Sequence, residues 1–67
     1  MTIAKVIELS SSSPKGIEDA VQKGLKKVAQ TVKNVKGAWV NEIKVSTGDD
    51  GSIIEWRVNM RINFIVD

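Results

Sequence analysis

The chain has 67 residues, a net charge of +2, no Cys and no His. Disulfides, a zinc site of the usual kind, and Ser-His or Cys-His nucleophilic pairs are therefore excluded. The eight acidic residues show no spacing that singles out an acid-base pair, and no apolar run reaches the roughly 18 residues of a membrane span.

In chain order, Ile3 to Leu9 is short and rich in β-branched residues and reads as a first strand, with Ile7 and Leu9 facing the core. The serine run Ser10 to Ser13 reads as a tight strand-to-helix connection. Ser13 is placed to cap free N–H groups, and Pro14 suits a first helical position because its missing N–H has no partner to lose there. Ile17, Val21, Leu25, Val28, Val32 and Val35 then recur at spacings of 4, 4, 3, 4 and 3 and predict one apolar stripe of a helix. Ala20 and Gly24 flank that stripe and allow close approach. The other side is rich in lysine. Glu18 and Asp19 come early and the lysines late, an order that complements the helix dipole.

Gly37 is expected to end the connection after the helix. Ala38 to Val45 reads as a second strand of broken parity: Ala38 and Val40 share one face, Ile43 and Val45 the other. A bulge near Glu42 would put all four on the same side. Thr47-Gly48-Asp49-Asp50-Gly51 is a solvated turn. The long third strand, Ile53 to Ile65, contains the most regular pattern of the chain. From Trp56 to Phe64 apolar and polar residues alternate, so Trp56, Val58, Met60, Ile62 and Phe64 line one face and Arg57, Asn59, Arg61 and Asn63 the other.

The predicted fold class is α+β: a β-α-β-β chain, one domain over residues 1–67, in which a three-stranded antiparallel sheet wraps partly around one amphipathic helix. The third strand belongs in the centre. A core this small, with no cross-links, favours oligomerisation. The first residues lack the features of a signal peptide, so a cytoplasmic location is the default expectation.

This order of elements resembles the dodecins, small flavin-binding proteins that form hollow homododecamers. The resemblance covers nearly the whole chain. It is carried by Lys5-Val6-Ile7-Glu8-Leu9 followed by Ser11-Ser12-Ser13-Pro14-Lys15-Gly16, and by the strand Trp56 to Phe64. It implies a homododecamer that binds a flavin, riboflavin or FMN, without catalysis. It also implies a cofactor-binding set of Gly37, Trp39, Lys44 and Arg57. Gly37 stands where flavin-binding dodecins carry a stacking Trp. Trp39, two residues on and on the same strand face, could take its place or pack at a subunit contact. Lys44 matches a basic residue that contacts the flavin phosphate, and Arg57 matches a flavin-contacting Gln. Arg57 could equally pair with Glu42 or Glu55 across subunits. In lacking the stacking Trp the chain is closer to a subgroup for which calcium or another ligand has been considered.

Three functions follow as expectations. The first is a flavin-sequestering shell. The second is a flavin-free shell that binds ions such as calcium or another small anion, or serves as a scaffold. The third is a weak nucleic-acid-binding module using the lysine-rich helix face, which is disfavoured because no aromatic residue interleaves the lysines. No catalytic residue, metal ligand or membrane partner is expected.

Overall fold

The computed structural model describes residues 2–66. Strand β1 (Ile3–Ser13), helix α1 (Ile17–Ala29), strand β2 (Val35–Thr47) and strand β3 (Ile53–Val66) follow in that order. The strands form one antiparallel sheet in the order β1-β3-β2. As expected from its unbroken alternation, β3 is central. Helix α1 packs against β1 and β3 on one face of the sheet. Among the described residues no helix is long and apolar enough to cross a membrane.

Directly paired residues of neighbouring strands share a face, so the register assigns the two sides. Val58, Met60 and Ile62 are fully buried under the helix with Ala20, and Val28 is nearly so. Ile7, Leu9, Val21, Leu25, Val35 and Ala38 pack around them. The expected bulge is present. Val40 pairs with Met60 and Glu42 with Asn59, which leaves Asn41 as the extra residue. Because of it, Ala38, Val40, Ile43 and Val45 all stand opposite apolar residues of β3, namely Ile62, Met60, Val58 and Trp56.

Several sequence expectations need correction. The serines are not a connection: Ser10 to Ser13 pair with Asn59 to Trp56 and continue β1. Pairing with a long central strand overrides weak strand propensity. Nor does Ser13 cap the helix, or Pro14 begin it. The N-cap is Gly16, at φ 148° and ψ 176°, whose carbonyl accepts from the Ala20 N–H at 3.1 Å. That positive φ suits glycine alone.

At its other end the helix stops at Ala29, so Val32 and Val35 are not on it. The Thr31 and Val32 N–H groups both donate to the Val28 carbonyl. The chain then reverses at Asn34, with φ 63°, a left-handed position that Asn tolerates. Gly37 is therefore not the reversal but a residue of β2. The buried line of the helix is Ala20, Gly24 and Val28, with Val21 and Leu25 beside it, whereas the sequence placed the small residues at the margin.

A helix of 13 residues is about 20 Å long, and a strand of 14 about 46 Å. The helix thus covers less than half of β3. Beyond it, on the same face of the sheet, Val40, Ile43, Val45 and Ile54 remain 43, 56, 40 and 59% exposed.

Candidate functional site: the polar face of the sheet

The sheet face turned away from the helix is organised in rows across the strands. One row is Glu8, Arg61 and Trp39; another is Ser12, Arg57 and Lys44. Between them lie Ser10, Asn59 and Glu42, and beyond Trp39 lies Gly37, opposite Asn63. The alternation that buries Met60 and Ile62 forces their neighbours outward, so the same local pattern that makes the core makes this face.

All four residues expected at the site lie on this face, but they do not converge on one point. Lys44 and Arg57 are direct partners. Trp39 is two rows away, about 13 Å at the usual rise per residue, and Gly37 is one row further, about 20 Å from Lys44. A single chain offers a strip rather than a pocket.

Trp39 is 58% exposed, a large ring with one side open to solvent. Like charges placed directly opposite, as Lys44 and Arg57 are, destabilise a sheet. Here Glu55 offsets this, pairing with Arg57 at 3.5 Å. Glu55 is one of the two acidic residues expected to pair with Arg57 across subunits, and here it pairs with Arg57 of its own chain. At Gly37 an added Cβ would meet only the Asn63 Oδ1, at 3.4 Å, so a side chain fits there.

A hydrogen-bonded network joins the three strands at the bulge. The Arg61 Nε donates to the Asn41 Oδ1 at 3.3 Å. The Asn41 Nδ2 donates to the Glu8 Oε2 and the Asn59 Oδ1, both at 3.4 Å. The Asn59 Nδ2 in turn donates to the Ser10 Oγ at 3.3 Å. Asn41 and Arg61 were missed as site residues. Arg61 has the same parity as Arg57 and was legible as a face residue. Asn41 was not, because its direction depends on which residue is extra in the bulge.

The model of the dodecin family matches residues 3–67. No curated protein matches the chain. Among solved structures, a point variant of the dodecin from Thermus thermophilus superposes with a TM-score of 0.91 at 27% identity, covering 100% of this chain and 98% of that one. The dodecin from Streptomyces davaonensis gives a TM-score of 0.89 at 29% identity, covering 98% and 96%. A calcium dodecin from Mycobacterium tuberculosis, described with a calcium-binding site of its own, gives 0.81 at 23% identity, covering 97% and 91%. This last likeness is one of fold.

Proposed function

The chain belongs to the dodecin family, and on that premise we propose that it is a non-catalytic, homo-oligomeric protein that sequesters a flavin, riboflavin or FMN. The ligand sits where the polar faces of neighbouring subunits meet. Trp39 supplies a stacking surface. Lys44 and Arg57 supply donors for ring carbonyls or a phosphate. Gly37 leaves open the space that a larger residue would fill.

The observation that carries this reading is the exposure of Trp39 in the stretch of this face that also carries Glu8, Asn59, Arg61, Lys44 and Arg57. A flat ring system with carbonyl groups at its edge needs both kinds of surface. The residues present fit such a group. Their spread along the strip supports a site assembled from more than one copy, because no single pocket brings them together. With Gly37 in place of a stacking ring, binding is weaker by at least one aromatic contact, roughly two- to tenfold in affinity.

The test is a titration of riboflavin against wild type, Gly37→Trp and Trp39→Ala, followed by quenching of flavin fluorescence. Binding is expected in wild type, strengthened in Gly37→Trp and weakened in Trp39→Ala. The absence of binding by wild type would overturn the flavin reading, whether or not Gly37→Trp gains it.

A further inference from the structure

The described residues form two ion pairs, Lys23 with Asp19 and Arg57 with Glu55. Arg61 is in neither. The only hydrogen bond of its side chain among the described residues is made by Nε, to Asn41. Glu8, its cross-strand partner on one side, spends a carboxylate oxygen on Asn41 instead. The bulge therefore inserts an amide that holds the Arg61 guanidinium through one nitrogen and leaves the two terminal nitrogens without partners among the described residues. On its other side Arg61 is the direct partner of Trp39. The Cβ atoms of such partners lie about 4.5–5.5 Å apart. A held donor fork thus adjoins an exposed aromatic face.

We propose that Arg61 is a specificity-determining residue that donates hydrogen bonds to the carbonyl edge of a planar ring stacked on Trp39. It selects heteroaromatics that carry exocyclic carbonyl oxygens over flat rings that lack them. This rests on the flavin reading, with Trp39 as the stacking surface. Arg57, which that reading places among the donors, is already engaged by Glu55. Arg61 is the arginine of this face whose fork is open. A guanidinium presents its donors in a rigid plane, and the ammonium of lysine does not, so charge alone does not replace it.

The experiment compares riboflavin with acridine, a three-ring system without carbonyl groups, at mildly alkaline pH where acridine is uncharged. Affinities are measured for wild type, Arg61→Lys, Arg61→Met and Trp39→Ala. Riboflavin affinity should fall roughly tenfold or more in both Arg61 variants, the scale of a lost charge-assisted hydrogen bond. Acridine affinity should stay unchanged in them. Trp39→Ala should weaken both ligands. Equal losses of the two ligands in the Arg61 variants would mean that Arg61 only braces the bulge, and would overturn the proposal. Riboflavin binding that is indifferent to Arg61 would overturn it while leaving the flavin reading intact. Failure of wild type to bind riboflavin would remove both.

Discussion

Ser13 is polar and yet 1% exposed. A buried hydroxyl is costly unless it is hydrogen-bonded, and this one is used in both directions. It donates to the Asp19 Oδ2 at 2.5 Å and accepts from the Lys15 N–H at 3.0 Å. It thereby ties the end of β1 to the first turn of α1. The Ser13 hydroxyl holds the Asp19 carboxyl below its ordinary value of 3.8, with the Lys23 ammonium, at 3.1 Å, and Lys15 adding to it. A carboxylate depressed in the folded state contributes stability at pH above its unfolded value, and the contribution is lost as pH falls through the folded value. Ser13→Ala should therefore move the Asp19 pKa upward and bring acid unfolding to higher pH. Carboxyl chemical shifts through a pH titration would check this, and an unmoved Asp19 would show that Lys23 alone sets its pKa.

At the scale of the element, the helix is defined by what its small residues permit. A Cβ added at Gly24 would collide with the Cε of Met60 and crowd Ser11 and Leu9, at 3.2 and 3.3 Å. Met60 is fully buried and has little room to yield. Alanine favours a helix over glycine by up to about 1 kcal/mol. Overpacking a core costs about 1–3 kcal/mol. Gly24→Ala should accordingly lower stability by about 1 kcal/mol, against its helix propensity. Lys26→Ala, on the exposed side, should change it by roughly 0.5 kcal/mol or less. Leu25→Ala should cost less than the roughly 2–5 kcal/mol of a fully buried leucine, because Leu25 flanks the buried line. Thermal unfolding at one protein concentration would rank the three. A stabilised Gly24→Ala would show that the helix does not press on β3 as closely as described.

The whole molecule is long and thin, 53 × 19 × 13 Å, with a radius of gyration of 13.9 Å. A compact globule of this length would have about 11 Å. Its apolar surface is left exposed beyond the end of the helix, at Val40, Ile43, Val45 and Ile54. A contiguous apolar surface of that kind marks an interaction site. Together with family membership it supports the homo-oligomer, and a dodecamer is the assembly proposed. Sedimentation at micromolar concentration should give a species far above the 7.3 kDa of one chain. Ile43→Asp should shift it toward smaller species, because a charge desolvated at an interface is costly. A wild type that sediments only as a monomer would remove the assembly and the shared ligand site with it.

Periodicity alone determined the order of elements, the central place of β3, its two unlike faces and the bulge in β2. All of these follow from local alternation, which every neighbouring residue repeats. The resemblance added the family, which the structural likeness bears out. What local pattern could not supply were the points where pairing overrides propensity. The serines became strand because β3 extends past them. Val32 and Val35 left the helix because Asn34 turned the chain. The line of closest helix-sheet contact fell on Ala20, Gly24 and Val28 because small residues let the backbones meet. At the candidate site, parity put Gly37, Trp39, Lys44, Arg57 and Arg61 on one face. Only the register across three strands set Lys44 beside Arg57 and Trp39 beside Arg61. Which arginine is already paired depends on contacts between side chains, and on the one residue that the bulge adds, and these exist only once the sheet is formed.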